Sequence, residues 1–156
     1  MIVAEFSPCR KYRYTLWRHW GGMFNRGYVN FICLNPSTAD EVQDDNTIRK
    51  CIKFAKSWGY ESMCVTNIFA YRATKPADMK AYPTPIGPDN DQWIAAVAAE
   101  ADLVIASWSQ HASFLNRSTD VLTLLPSRPK ILRMGDQEPW HPLYLPDSST
   151  PIDWPN

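Results

Sequence analysis

The chain has 156 residues, and its 16 lysines and arginines are matched by 16 aspartates and glutamates, leaving no net charge at neutral pH. That length suits one domain over 1–156, burying roughly two thirds of its unfolded surface without help from a partner, so a monomer is expected. The charge balance excludes a broad electrostatic grip on nucleic acid or membrane but permits a local basic patch. No apolar run reaches the length of a membrane span, and Met1-Ile-Val-Ala-Glu-Phe6 lacks a basic segment ahead of a hydrophobic one, which points to a soluble, unsecreted, cytoplasmic protein. Cys9, Cys33, Cys51 and Cys64 form no CxxC pair and have no histidine at metal-ligand spacing, so buried free thiols are expected, with no metal or other cofactor.

Tyr12-Arg-Tyr-Thr-Leu-Trp-Arg-His-Trp20 alternates aromatic or apolar with polar residues, meets Gly21-Gly22 and Asn25-Arg-Gly27, and enters the apolar run Tyr28 to Leu34. This pattern predicts a β-hairpin. Phe31 to Leu34 suits a buried strand, and Pro36 forbids its continuation in a central ladder. Asn35, biased toward an extended conformation by that proline, is then carried on a rigid strand end, or else forms an Asx-turn. After a polar loop from Ser37 to Asp45, residues Ile48, Cys51, Ile52, Ala55 and Trp58 recur at helical spacing, with Asp44 or Asp45 as start signal and Gly59 as stop.

Met63-Cys-Val-Thr-Asn-Ile-Phe69 reads as a second strand, followed by the polar loop Tyr71-Arg-Ala-Thr-Lys-Pro76 and a helical turn from Pro76 to Lys80. Pro83, Pro85 and Pro88 lead into Asp89 to Ala101, where alanine content and early acidic residues favour helix. Asp102-Leu-Val-Ile-Ala-Ser107 is a further strand, Ala112 to Leu125 a further helix, and Lys130-Ile-Leu-Arg133 a last short strand before Gly135. Helices alternating with short apolar strands imply an α/β fold. Its central sheet is mostly parallel, with helices on both faces and the N-terminal antiparallel hairpin at one edge.

Parallel strands place their exits on one rim, where ligands of open α/β sheets bind. That rim would gather Asn35 with Ser37, Asn67 with Arg72, and Trp108 with Gln110 and His111. The loop Gly135 to Pro146 would bring His141 to the same place. Each has an ordinary alternative: Asn67 as a loop hydrogen-bonder, Arg72 as a solvated charge or ion-pair partner, His111 as a helix cap.

With those residues in place, the chain resembles the uracil-DNA glycosylase-like superfamily over roughly residues 28–146. Leu34-Asn35-Pro36-Ser37 resembles its first motif, in which a strand ends in Asn-Pro or Asp-Pro beside a catalytic water. Val65-Thr66-Asn67-Ile68 with Arg72 resembles the strand ending in Thr-Asn, whose amide reads a pyrimidine edge. Trp140-His141-Pro142-Leu143-Tyr144 resembles the His-Pro-Ser loop, whose histidine meets the base carbonyl and whose next apolar residue wedges into the duplex. The resemblance implies a three-layer αβα fold, DNA as partner and an extruded pyrimidine as substrate. In it, Asn35, Ser37 and His141 are catalytic, Asn67 and Arg72 bind substrate, Phe69, Tyr71 or Trp108 stack on the base, and Leu143 or Tyr144 is the wedge.

The chain departs from that pattern in carrying Asn35 where the strongest glycosylases carry Asp, and Ser37 where those with Asn carry Gly. Its cysteines do not fall at the positions of the iron–sulfur branch. Leu34-Asn-Pro-Ser-Thr-Ala-Asp40 and His141-Pro-Leu-Tyr-Leu-Pro146 are also similar to a family of bacterial and phage proteins classed as a domain of unknown function. Asn35 cannot be a strong general base, which leaves two enzyme readings. One is excision of a damaged or modified base. The other is a phage-type hypermodification transferase that replaces an activated substituent, such as pyrophosphate, on 5-hydroxymethylpyrimidine with an amino acid or amine. In the second case Asp40, Asp44 and Asp45 either hold Mg²⁺, orient the amine, or simply cap the following helix. A third reading is a module that binds a modified base or nucleotide without turning it over.

Overall fold

The computed structural model describes residues 3–21 and 27–155 and shows an α/β fold with a five-stranded mixed sheet and four α-helices among them. The strands are β1 (Ala4–Phe6), β2 (Arg13–His19), β3 (Tyr28–Cys33), β4 (Ser62–Asn67) and β5 (Leu103–Ala106), ordered β1-β2-β4-β3-β5. β4, β3 and β5 are parallel, while β2 joins β4 antiparallel and β1 joins β2 antiparallel. The helices are α1 (Asn46–Ser57), α2 (Pro76–Ala81), α3 (Asn90–Glu100) and α4 (Arg117–Leu122). No helix among the described residues is long and apolar enough to cross a membrane.

β3 and β4 are apolar runs buried along nearly their whole length, as strands of a parallel sheet must be. Successive residues of β3 enter different cores. Val29, Phe31 and Cys33 pack with Ile48, Cys51, Phe54 and Ala55 of α1, whereas Ile32 and the following Leu34 pack with Met79, Ile94 and Val121 of the later helices. α1 begins where Asp45 accepts the Ile48 N–H at 2.9 Å, an N-cap. Cys33, Cys51 and Cys64 are buried free thiols and Cys9 is exposed.

The sheet corrects the expected hairpin. β2 and β3 are not neighbours, because β4 lies between them and pairs with both: Leu16 faces Val65 on one side and Phe31 faces Val65 on the other. Gly22, Asn25 and Arg26 of the expected turn lie outside the described residues. The antiparallel edge is instead β1 with β2, and a three-residue strand carries no periodic signal.

Two further expectations change at the other edge. Lys130 makes a single parallel bridge to Ile105, after which Ile131 turns to pair with Ile152, so 130–133 is not a full strand. The expected helix over 112–125 is a 3-10 stretch over Gln110–Asn116, broken at Phe114 and at Leu115, whose φ is 55°, and only then α4.

The end of β4 is held by buried polar groups. Asn90, fully buried at the start of α3, donates from Nδ2 to the carbonyls of Asn67 at 2.8 Å and Ile68 at 3.2 Å. Replacing it by alanine orphans the Asn67 carbonyl, so Asn90→Ala is expected to cost about 1–3 kcal/mol, read as a lower urea midpoint at unchanged slope. A wild-type midpoint would remove Asn90 from the support of this strand end.

Candidate functional site

Between β3 and its two neighbours the strand order reverses, since the chain leaves β3 for β4 on one side and later returns to β5 on the other. Such a switch point opens a crevice beyond the carboxyl ends. The structure has a cleft of about 1030 Å³ there, lined by Leu34, Asn35 and Ser37 after β3, by Ser109, Gln110 and His111 after β5, and by the loop Gly135 to Tyr144. Thr38, the first turn of α1 (Asn46, Thr47) with its cap Asp45, and Ala73, Thr74 and Pro76 after β4 complete the wall.

Asn35 is fixed by its donor side. Its Nδ2 reaches the Ala73 carbonyl at 2.8 Å while the Ala73 N–H returns a bond to the Pro36 carbonyl at 2.9 Å, which clamps the exit of β3 to the loop after β4. Oδ1 accepts no bond from the described residues, leaving an amide oxygen on a rigid support at the cleft. Ser37 lies on the same wall and is partly exposed.

His141 opens the short turn Pro142–Tyr144, and its Nδ1 accepts the Leu143 N–H at 3.2 Å. That bond selects the tautomer with hydrogen on Nε2. Burial pushes the imidazole down to about 4 against a smaller opposing pull from Asp45, so at neutral pH the ring is uncharged and donates from Nε2. Leu143, 38 % exposed, and Tyr144, 73 % exposed, stand at the rim beyond it.

Other expected site residues are placed elsewhere. Asn67 does end β4, but its side chain is 1 % exposed and its Oδ1 accepts from Nη2 of Arg13 at 3.3 Å. Arg13 is itself buried without a carboxylate partner and lowered to about 10 by desolvation, so it requires these acceptors, Asn67 and the Ala39 carbonyl. Asn67 is therefore spent on β2 and does not line the cleft. Phe69 and Trp108 are fully buried, packed at 5.8 Å on Phe114 and at 6.0 Å on Trp154 respectively, and present no face for stacking. Tyr71 stacks on Tyr82 at 3.7 Å, and Arg72 lies over Phe6 at 4.8 Å; neither lines the cleft.

Asp40, Asp44 and Asp45 are not gathered around an ion. Asp40 accepts from Val42 and Gln43 N–H groups, which holds its carboxyl below the usual range; Asp44 pairs with Arg18; and Asp45 caps α1. Among the described residues no group of three His, Cys, Asp or Glu side chains is placed to hold a metal.

The cleft also contains groups that sequence reasoning passed over. Glu138 is partly buried there, and burial raises its carboxyl above the ordinary value. Its only forewarning was a Gly-Asp-Gln-Glu-Pro turn just before Trp140-His141. Ser109 is held at φ 72°, a strained conformation for serine, and its Oγ is buried without a partner. His111, which the sequence had placed on this rim, does line the cleft: its Nδ1 lies 3.0 Å from Lys80 Nζ, and burial, then Lys80, lowers its pKa.

The family model described as "Protein of unknown function (DUF1643)" matches residues 13–143. No curated protein and no solved structure matches the chain. With all of the parallel sheet and nearly all of the cleft inside the matched span, the chain belongs to the DUF1643 family.

Proposed function

We propose that the protein is an enzyme that takes a pyrimidine base extruded from DNA into this cleft and excises or processes it, on a three-layer αβα scaffold like that of the uracil-DNA glycosylases. The observation that carries the reading is the meeting of Asn35 and His141 in one cleft at the sheet's switch point, with Leu143 and Tyr144 exposed beyond them. Helix α1 packing on one set of β3 side chains and the later helices on the other supports the layered arrangement.

In this reading Asn35 Oδ1 orients the attacking nucleophile, and neutral His141 donates from Nε2 to a base carbonyl on which charge develops. Because Asn67 is committed to Arg13 and the Asn46 amide oxygen to Arg49, the base edge is read by the amide that lines the cleft without such a partner, Gln110. Stacking passes from the expected rings to Trp140, which lines the cleft and is 37 % exposed. Leu143 and Tyr144 fill the gap left by the extruded base. The cleft is larger than one pyrimidine needs, which favours as a second reading transfer of an amino acid or amine onto an activated 5-hydroxymethylpyrimidine.

The deciding experiment is mass analysis after incubation with single strands and duplexes containing uracil, 5-hydroxymethyluracil or its phosphorylated forms, with and without an amine. Free base identifies a glycosylase, and a mass change within the base a transferase. Retention without a product leaves only binding, and neither retention nor product removes DNA as the partner.

Three outcomes follow from the geometry. His141→Ala should lower turnover about 10²–10³-fold, the usual cost of one donor to a developing oxyanion, whereas Asn67→Ala should lower stability and leave probe affinity near wild type. Leu143→Ala or Tyr144→Ala should impair action on duplex more than on single strands, because only the duplex must be unstacked. In ¹⁵N NMR titrations His141 should stay neutral, with hydrogen on Nε2, down to about pH 4. The folded state binds fewer protons than the unfolded chain between the ordinary histidine value and that point, so His141 removes stability as pH falls through this window. An ordinary histidine titration would contradict the assigned donor state.

A further inference from the structure

We propose that Glu138 is the proton-transfer residue of this cleft, its carboxylate taking the proton from the water that attacks the substrate. The role rests on the pyrimidine reading above. That chemistry needs a base, and the two residues already assigned cannot serve: an amide has no useful basicity, and His141 holds its Nδ1 lone pair on the Leu143 N–H. Among the other cleft groups, His111 is tied to Lys80 through Nδ1, Asp45 caps α1, and Asp136 is exposed. Glu138 is the partly buried carboxylate that has no hydrogen bond of ordinary geometry.

Its setting is built rather than incidental. Met134 bridges Pro139, the Gly135 N–H donates to the Glu138 carbonyl at 2.9 Å, and the Ser109 N–H donates to the Pro139 carbonyl at 3.0 Å. A Cβ at Gly135 would stand 2.8 Å from that Glu138 carbonyl, so the turn closes this tightly only on glycine. Oε2 is occluded and unpaired, and two more occluded polar atoms without partners, Trp108 Nε1 and Ser109 Oγ, belong to the adjoining exit of β5. Glu138 lines the cleft, which leaves Oε1 as the oxygen available to a ligand there. The indole of Trp108 and the hydroxyl of Ser118 face the carboxylate closely enough to favour its charged form, without either closing a normal bond to Oε2, and burial outweighs both. Such a carboxyl is poised nearer neutrality than a solvated one.

In base release the water oxygen bonds to the sugar C1′ while the C1′–N1 bond breaks, its electron pair departs on the base where His141 meets the carbonyl, and the water proton passes to Glu138 Oε1. Glu138 then returns that proton to the base anion and is regenerated.

The test uses the full chain and the best probe oligonucleotide of the screen above. Glu138→Gln should lower kcat about 10²–10⁴-fold with little change in Kd, and should abolish the acid limb of the pH–rate profile; Glu138→Asp should keep the limb at reduced rate. The base is active when deprotonated, so wild-type turnover should rise with pH through a value above the ordinary glutamate range. Glutamine removes the cost of burying a charge, so Glu138→Gln should melt no lower than wild type above that value. In the free protein the Trp108 indole N–H resonance should titrate with the Glu138 carboxyl and lose that inflection in Glu138→Gln. Wild-type kcat in Glu138→Gln would overturn this role and leave the pyrimidine reading standing. A wild-type protein that neither binds nor alters any probe would overturn both, and an indole resonance flat with pH would overturn the setting given to Glu138 beside Trp108.

Discussion

β3 is the strand that every other part of the sheet is measured from. It carries a hydrogen-bond ladder on each edge, to β4 and to β5, and contributes side chains to both apolar clusters. A strand so placed can end only where both ladders are released, and Pro36, lacking an N–H, fixes that point two residues after Leu34. The chain must then leave the sheet, and Asn35 is the residue at which it does so. The cleft is thus a consequence of strand order: chain departing from β3 and from β5 cannot fill the space between their ends.

The second constraint is the burial of Arg13. A guanidinium without a carboxylate partner in the interior must be surrounded by acceptors, and it takes the Ala39 carbonyl from the loop after β3 and the Asn67 amide from the end of β4. This ties β2 to the exit of its neighbour β4 and, across it, to the loop after β3. It also decides which of two asparagines at parallel strand ends faces the cleft, since Asn67 answers to Arg13 and Asn35 to Ala73.

Much of this was legible in the sequence. The apolar runs of β3, β4 and β5, the helical spacing and Asp45 cap of α1, and the alanine-rich α3 all express a local period or a local cap, which needs no knowledge of distant partners. What the sequence hid depended on such partners. β2 turned to β4 rather than to its neighbour in the chain, and only that pairing brings Arg13 beside Asn67. Likewise, Leu115 in a left-handed conformation breaks a helix whose apolar pattern runs on unbroken. At the site, the places of Asn35, Ser37 and His141 were legible because proline and loop position carry them to the cleft, while Trp108 was misplaced because one step along the chain decides between core and cleft.

The cysteines sit at informative depths in this arrangement. Cys33 lies in β3, Cys64 in the adjacent β4 and Cys51 on the helix packed against β3, all enclosed, while Cys9 is open to solvent near the antiparallel edge. A thiol reagent therefore meets one site at once and three only when the parallel sheet opens. The rate at which the last three are labelled counts openings of the scaffold beneath the cleft, and Cys9 supplies an internal clock for the reagent itself. The protein in this way carries its own gauge of whether a bound ligand tightens the sheet that holds it.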